Sequence, residues 1–262
     1  MRQFVLPSNY KGDGSIRISG ADSKYILKVL RLDEGDSFPA VDHQGLRYSL
    51  RITETGADYF SAVCNPVTVS TGPMRTAKPR KTKIILLQCL PKGKKLELIV
   101  RQAVEAGVGL IIPVESVHSV AVIKDDRSGK KTERLRKIAE EAAQQSGNAG
   151  VPEIIPAVKL PVLPKLLEEQ EINGLKLFFH QERLEKDSLH GYLNSGHESI
   201  CILIGPEGGL SEDETDFLLA TGFHPVYLGE NVLRTETAAI YALGAVKTIL
   251  LEKDEWKTDI LE

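Results

Sequence analysis

The sequence predicts a small β-barrel followed by a larger α/β domain, in which helices cover both faces of a mostly parallel sheet. Residues 1–70 consist of short strand-like segments separated by turn residues, a pattern typical of a small barrel. From residue 84 onward, apolar runs alternate with helical segments, which indicates parallel strands joined by helices. The length of 262 residues is sufficient for both domains.

The predicted barrel has strand segments on either side of one helix. The helix covers ADSKYILKVLR at 21–31, and turns are expected at 42–45 and 55–58. The strand segments are FVLP at 4–7, SIRIS at 15–19, SFPAV at 37–41, GLRYSLRI at 45–52 and DYFSAVC at 58–64.

A change of composition separates the two predicted domains. Residues 66–83 lack apolar periodicity, contain three prolines and place five Lys or Arg residues between Arg75 and Lys83. This composition is typical of an exposed basic linker. The predicted boundaries are 1–70 for the barrel, 71–83 for the linker and 84–262 for the α/β domain.

The α/β domain contains apolar runs of strand length. Helices are predicted over 94–106, with Gly107 as the C-cap, over 131–146 and over 235–250. Ligands of open α/β sheets bind at the carboxyl ends of the strands, so the loops there are the candidate functional segments. The apolar runs are IILLQCL at 84–90, LIIPV at 110–114, EIIPAV at 153–158, LKLFFH at 175–180, ICILI at 200–204 and VYL at 226–228.

The charge distribution separates the same two regions. Residues 1–83 contain thirteen Lys or Arg against eight Asp or Glu, a net charge of +5, and the other residues contain twenty against twenty-eight, a net charge of −8. A basic first part is expected where that part meets a polyanion such as nucleic acid. Ordinary solvated surface charge explains the split equally well, so both interpretations stay open.

Composition argues against several classes of protein. The chain has no apolar run of eighteen residues, and its start, MRQFVLPSNY, lacks the pattern of a secretory signal, so we expect a cytoplasmic protein. Cys64, Cys89 and Cys201 form no CxxC pair, and we expect buried small side chains rather than disulfides. The six histidines show no paired ligand spacing, so no metal site is expected.

A glycine-rich loop, Gly205-Pro-Glu-Gly-Gly-Leu-Ser211, follows the apolar run that ends at Ile204. Its glycines let the backbone turn sharply and approach a ligand closely. It lacks both the GxGxxG fingerprint and the GK[ST] of a P-loop. Ser211 and Glu214 fit a capping box, and the carboxylates at 212–214 would repel a phosphate from the helix end. A nucleotide-phosphate site is therefore not expected, and a purely structural turn remains the alternative.

A second unusual loop, GENVLRTET at 229–237, follows the run VYL. Thr235 or Thr237 is the expected N-cap of the last helix. Val232 and Leu233 could line a pocket for a flat adenine ring, with Arg234 beside it as a fixed cation. The alternative is that Val232 and Leu233 fill the core and Arg234 is a surface charge. Two such loops after successive strands favour a ligand site.

These two loops resemble the signature segments of a known enzyme family. IGPEGGLS at 204–211 and LGENVLRTETA at 228–238 are similar to motifs of the RsmE family, bacterial ribosomal RNA (uridine-N3) methyltransferases of the SPOUT superfamily. LPKGKKLELIVRQAVEAGV at 90–108 resembles a third motif, and KVLRLDEGD at 28–36 resembles the N-terminal segment. The four segments occur in the family's order and cover nearly the whole chain.

The resemblance implies a fold, a cofactor and an assembly. It implies an N-terminal PUA-like or OB-like β-barrel that binds RNA, and a C-terminal SPOUT domain whose last strands and helix form a deep trefoil knot. It also implies S-adenosyl-L-methionine bound in a bent shape, a homodimer with its active site at the subunit interface, and methylation of one uridine of 16S rRNA in the small ribosomal subunit.

The resemblance further implies roles for individual residues. Arg234 would contact the substrate uracil or the reacting centre, and Glu207 is a weaker candidate for a catalytic base. Arg31 of KVLR and Lys92 of LPKG would contact RNA. The residues implied to hold S-adenosylmethionine are Phe179, His180, Gly205, Glu207, Gly208, Leu228, Gly229, Leu233 and Thr235.

The chain departs from the family pattern at two positions. Asn148 and Asn231 stand where the family has arginine, so two cations that could grip RNA are missing. Three alternative functions therefore remain: an inactive RNA-binding homologue, a SPOUT methyltransferase acting on tRNA, and a small-molecule enzyme that uses another nucleotide cofactor such as NAD or ATP.

Overall fold

The structure is a computed structural model that describes residues 4–7, 10, 14–42, 46–67, 82–120, 129–148, 150–184 and 186–255. The chain divides into two compact units. One unit consists of Met1–Thr76 and Glu140–Val151, and the other of Ala77–Ala139 and Pro152–Glu262. The predicted linker at 71–83 lies outside the described residues except for Thr82 and Lys83, and so does the predicted turn at 42–45 except for Asp42.

The described part of the first unit is a barrel-like sheet, as predicted. Its strands are β1 (Phe4–Val5), β2 (Ser15–Ser19), β3 (Ser37–Val41), β4 (Arg47–Thr55) and β5 (Tyr59–Pro66). They lie in the order β1-β3-β4-β5-β2, antiparallel except for the β1–β3 pair. Because side chains alternate along each strand, Phe38, Leu50 and Phe60 meet in one apolar core.

The predicted helix at 21–31 forms in two parts. α1 spans Ala21–Lys24 and continues as a π-helical turn over Tyr25–Val29. Arg31, just beyond it, has a φ of 56°, in the left-handed region that residues with a side chain rarely adopt. π-helical turns and left-handed residues often lie at functional sites. The Arg31 side chain is exposed.

The second unit is built on a parallel sheet. Its described strands are β6 (Lys83–Cys89), β7 (Leu110–Glu115), β8 (Glu153–Ile154), β9 (Val158–Lys159), β10 (Leu175–His180), β11 (Ser199–Ile204) and β12 (His224–Tyr227). The order is β12-β10-β11-β6-β7-β8, with β9 paired to β7, and every pair is parallel. The single strand predicted at 153–158 is wrong. Pro156 has no N–H to donate, and two short strands form on either side of it.

Helices cover both faces of this sheet, as predicted. The described helices that follow the barrel are α2 (Lys95–Glu105), α3 (Lys130–Ser146), α4 (Leu163–Glu169), α5 (Leu189–Tyr192), α6 (Glu212–Ala220) and α7 (Thr235–Glu255). Along β6, Leu87 packs in one core with Leu163 of α4 and Leu218 of α6. The next side chain, Gln88, points to the opposite face and contacts Thr235 of α7.

The C-cap of α2 lies one residue before the predicted Gly107, which still supplies the turn that ends the helix. Ala106 is the C-cap, and Gly107 follows it with a φ of 83°. The N–H of Gly107 donates to the Val104 carbonyl at 2.9 Å, and the N–H of Val108 donates to the Ala103 carbonyl at 3.1 Å. This is the Schellman motif, in which glycine supplies the left-handed residue without strain.

The last helix returns from the edge of the sheet to its centre. β12 is an edge strand, whereas α7 packs against β11 and α2. α7 begins at Thr235, whose hydroxyl donates to the Gly205 carbonyl at 2.7 Å. The N-cap role expected for Thr235 or Thr237 is therefore wrong.

The three cysteines are buried, as expected, and none of them forms a disulfide. Burial raises the pKa of both Cys89 and Cys201 to about 12, so both thiols stay protonated. Among the described residues, no helix is long and apolar enough to cross a membrane. The same residues contain no group of three or more His, Cys, Asp or Glu side chains that could hold a metal ion.

Candidate functional site

A cavity opens at the carboxyl ends of β10, β11 and β12, where the two unusual loops meet. Its interior volume is about 90 Å³, and the empty space reaches about 670 Å³ when the open mouth is included. Eight of the nine residues that the sequence assigned to a cofactor line it. They are Phe179, His180, Gly205, Glu207, Leu228, Gly229, Leu233 and Thr235.

Gly208 is the residue of that set that does not line the cavity. A Cβ atom at Gly208 would lie only 3.0 Å from the Cβ of His118, in the loop after β7. The His118 ring Nδ1 lies 3.1 Å from the Gly209 carbonyl oxygen. Gly208 therefore allows the His118 loop to pack against the glycine loop.

Two glycines of the site are required by backbone conformation. Gly209 has a φ of 71° and Gly229 a φ of 116°, and a Cβ atom at either would meet no atom within 4 Å. The φ value, and not crowding, excludes other residues. Both residues line the cavity, and the Gly209 backbone is itself bonded: its N–H donates to the Pro206 carbonyl at 3.0 Å, and its carbonyl oxygen lies 3.1 Å from His118 Nδ1.

Glu214 anchors the glycine loop from the start of α6. The capping box predicted from the sequence is confirmed: the Glu214 N–H donates to Ser211 Oγ, and the Ser211 N–H donates to Glu214 Oε2 at 3.0 Å. The other carboxylate oxygen accepts the Val117 N–H at 2.8 Å. One buried carboxylate therefore joins α6 to the loop after β7.

We expect Glu214→Gln to lower the free energy of unfolding by about 2 kcal/mol, because an amide nitrogen would face one of the two backbone donors. Urea denaturation of both proteins measures this difference. Glu212→Gln, in the same helical turn but exposed, is the matched control and should change stability by less than about 0.5 kcal/mol. Equal losses in both variants would contradict this role of Glu214.

Gln88 is a site residue that the sequence analysis missed. It is fully buried in β6, and its Nε2 donates to Thr235 Oγ1 and to the Cys89 carbonyl oxygen, both at 3.0 Å. Thr235 in turn donates to Gly205. This chain of hydrogen bonds joins the central strand to both loops of the cavity. A glutamine inside the apolar run IILLQCL was the available signal, since a buried polar group needs a partner.

A charge cluster lies beside the cavity. Lys95 Nζ lies 2.9 Å from Glu207 Oε1 and 3.1 Å from Glu236 Oε2. The Lys92 N–H donates to the two Glu207 oxygens at 3.3 and 3.2 Å. Glu207 lies in the glycine loop that follows β11, and Glu236 lies in the first turn of α7. Lys95 therefore connects the glycine loop to the start of α7.

These contacts shift the ionisation of the cluster. Partial burial raises the pKa of Glu207, but the hydrogen bonds from Lys95 and from backbone N–H groups outweigh it, so the pKa lies below its ordinary value of 4.5. The pKa of Glu236 is lowered by its own backbone N–H and by Lys95. The hydrogen bonds to both carboxylates raise the pKa of Lys95. The ion pair with Lys95 and the lowered pKa make Glu207 a weak proton acceptor at neutral pH, and its role as a base stays a prediction.

The lowered pKa of Glu207 gives a pH prediction. A carboxyl group whose pKa is lower in the folded than in the unfolded protein stabilises the fold above the unfolded value, and this contribution is lost as the pH falls through the folded value. The difference in free energy of unfolding between wild type and Glu207→Gln should therefore be constant above about pH 5 and shrink below pH 4.5. Denaturation of both proteins from pH 7 to pH 3 measures it; a constant difference would contradict the prediction.

Arg234 lies directly before α7 and is exposed. In the described parts of the chain, its guanidinium forms no ion pair or hydrogen bond, and it does not line the cavity. Asn231 and Val232 do line it, and Val232 is 77% exposed. The cavity mouth thus has an exposed apolar side chain, an amide and a nearby free cation.

The two residues expected to contact RNA belong to different units. Arg31 follows the π-helical turn of the first unit, and Lys92 precedes α2 in the second. Both side chains are exposed. The backbone of Lys92 is held by Glu207, so this lysine emerges beside the cavity.

The chemistry of the cavity suits a nucleoside without phosphate groups. Its walls combine apolar side chains, such as Leu210 and Leu233, with glycine residues that have no side chain. The nearby first turn of α6 carries Glu212, Asp213 and Glu214, and its capping groups are already bonded to each other. A phosphate would meet negative charge there, so the cavity is better suited to a ligand without phosphate groups.

Comparison with known proteins agrees with this chemistry. Residues 78–247 match the family described as RNA methyltransferase domain, and residues 18–63 match the RNA methyltransferase PUA domain. Ribosomal RNA small subunit methyltransferase E of Bacillus subtilis is 30% identical over 91% of this chain and 92% of its own. Ribosomal RNA small subunit methyltransferase E 2 of Borreliella burgdorferi is 29% identical over 95% and 98%.

A solved structure extends the similarity to three dimensions. The crystal structure of a ribosomal RNA small subunit methyltransferase E from Neisseria gonorrhoeae, bound to S-adenosyl methionine, matches with a TM-score of 0.77 and 27% identity. The match covers 95% of this chain and 98% of that one. Sequence and fold together show that the chain belongs to the ribosomal RNA small subunit methyltransferase E family.

Proposed function

We propose that the protein transfers a methyl group from S-adenosyl-L-methionine to N3 of one uridine in 16S rRNA of the small ribosomal subunit. The observation that carries this proposal is the cavity at the ends of β10, β11 and β12, with its two glycine-containing walls and an acidic helix start that disfavours phosphate. The similarity to a relative bound to S-adenosyl methionine supports the choice of cofactor.

Nine residues are assigned to the cofactor. Leu233 and Leu228 would contact the adenine ring, and the backbone at Gly205 and Gly229 would approach it without interference from side chains. Bound there, S-adenosylmethionine supplies an electrophilic methyl group. Glu207 and Gly208 would contribute to cofactor binding indirectly, because they stabilise the conformation of the glycine loop. The other assigned residues are Phe179, His180 and Thr235.

Arg234 is assigned to the target base. Uracil N3 carries a proton and is a poor nucleophile, so methylation needs the proton removed and the negative charge on the uracil oxygens stabilised. An unpaired guanidinium beside the cavity is suited to that charge. Arg234 would also hold N3 in line with the methyl group. Glu207 is the candidate proton acceptor, although its ion pair with Lys95 makes it a weak base.

The RNA and a second copy of the chain are the proposed partners, in the cytoplasm. Arg31 and Lys92 would contact RNA phosphates. The exposed side of α7 carries Tyr241, which is 56% exposed, with exposed Gly244 and Thr248 on the same face. This face supports a homodimer. Sedimentation velocity at micromolar concentration measures the assembly, and a monomer would contradict an active site shared between subunits.

The decisive experiment is methyl transfer from labelled S-adenosylmethionine to small ribosomal subunits from a strain that lacks the modification. Mass spectrometry of the nucleosides then identifies the product. We expect N3-methyluridine at one site. Transfer to tRNA instead would redirect the proposal to a tRNA substrate. Cofactor binding without transfer to either RNA would indicate an inactive homologue and make Asn148 and Asn231 the first positions to restore to arginine.

A further inference from the structure

Lys95 is a cation at the N-terminus of a helix, where positive charge is unfavourable. It is the first residue of α2, directly after Lys94, and the helix has no side-chain cap at this end. Cations are unfavourable at a helix N-terminus, where the backbone dipole is positive. Residues that contradict local propensity are expected where another gain offsets the cost. The two ion pairs of Lys95 with Glu207 and Glu236 offset the unfavourable interaction with the helix dipole.

Those two carboxylates would repel each other without Lys95. Since both contact the same nitrogen, their nearest oxygens are no more than about 6 Å apart, and like charges at this distance disfavour each other. The carboxylates are partly shielded from water: Glu207 has a side-chain exposure of 33% and Glu236 of 17%. Glu207 lies in the glycine loop and Thr235, next to Glu236, begins α7; both line the cavity and form two of its walls. Repulsion would therefore separate these walls.

Lys95 also determines which cation Glu236 pairs with. Arg234 is two residues before Glu236 and close enough to lower the pKa of that carboxyl group. In the structure, the Glu236 carboxylate forms an ion pair with Lys95, and the Arg234 guanidinium forms no ion pair with any described residue. Removal of Lys95 would leave Arg234 as the nearest cation for Glu236.

We propose that Lys95 is a positioning residue that holds the two walls of the cofactor cavity together and keeps Arg234 free for the target base. The proposal rests on the proposed function for the role of Arg234, whereas the holding of the walls is independent of it. Lys95 acts through Glu207 and Glu236 and does not itself contact a reacting group.

The test compares Lys95→Met, which keeps the length but removes the charge, with Lys95→Arg and Lys94→Met. Lys94 is exposed and forms no ion pair with the described residues, so Lys94→Met is the matched control. Hydrogen–deuterium exchange of the full-length protein without cofactor should show faster exchange at 205–211 and 228–236 in Lys95→Met only. Unchanged exchange in these segments would overturn the proposal, whether or not the protein is a methyltransferase.

Binding and turnover give the second readout. We expect Lys95→Met to weaken binding of S-adenosylmethionine about tenfold and to lower kcat on small subunits by about 100-fold, with Lys95→Arg near wild type. Lys95→Met combined with Glu236→Gln should recover most of kcat, because no carboxylate remains to capture Arg234. A kcat in the double variant as low as in Lys95→Met would overturn the second part of the proposal. Wild type that binds no S-adenosylmethionine would instead refute the proposed function, and the exchange experiment would still decide the role of Lys95.

Discussion

Arg234→Ala should lower methyl transfer to small ribosomal subunits by about 10²- to 10³-fold, while binding of S-adenosylmethionine stays within about twofold of wild type. The guanidinium is exposed beside the cavity and does not line it, so its loss removes charge from the target and not from the cofactor. Single-turnover methylation measures the first effect, and calorimetric titration measures the second.

The variant Arg234→Lys distinguishes the contribution of the positive charge from that of the guanidinium geometry. A lysine keeps the cation but loses the planar fork of donors, so we expect an intermediate rate. Full activity in Arg234→Ala would exclude the proposed role. A parallel loss of cofactor affinity would assign Arg234 to the cofactor instead of the target.

Thr235→Val should weaken cofactor binding by at least about tenfold and lower the free energy of unfolding by about 2 to 3 kcal/mol. Valine has nearly the same shape, but it removes the donor to the Gly205 carbonyl and the acceptor for Gln88, at a position that is only 4% exposed. The Gln88 amide then loses a buried partner, and the glycine loop loses its link to α7.

The matched control is Thr235→Ser, which keeps the hydroxyl group and should retain both hydrogen bonds. We expect its cofactor affinity and stability to lie close to wild type, apart from the small cost of a lost methyl group. Calorimetric titration and urea denaturation of the two variants measure the comparison. Equal effects of valine and serine would show that packing of the methyl group, and not hydrogen bonding, matters here.

Local patterns explain how much of the fold was predictable. The strands at β2, β3 and β10 match their predicted segments residue for residue, because each is an apolar or alternating run between turn residues. The capping box of Ser211 and Glu214 and the end of α2 at Gly107 depend only on neighbouring residues. The prediction at 153–158 was wrong because Pro156 outweighs the apolar pattern.

The contacts that shape the site are long-range, which is why the sequence did not reveal them. Gln88 and Thr235 are 147 positions apart, and Lys92 and Glu207 are 115 apart. A pattern of residues shows that Gln88 needs a partner but does not identify it. The same holds for Glu207, whose ion pair with Lys95 no local pattern indicates. The glycine loops were recognisable from the sequence because glycine residues determine the backbone conformation of the loop in which they lie.

Because α7 returns to the centre of the sheet, the sheet and the cofactor cavity form at different stages of protein synthesis. α7 follows every other described element along the chain, yet its first residue completes the hydrogen bonds between β6 and the glycine loop. During synthesis, the sheet can therefore form before the ligand cavity exists. A chain truncated before Thr235 would contain every described strand of the parallel sheet but lack Thr235 and Ala238 of the cavity lining. Cofactor binding thus reports that the C-terminal helix has docked.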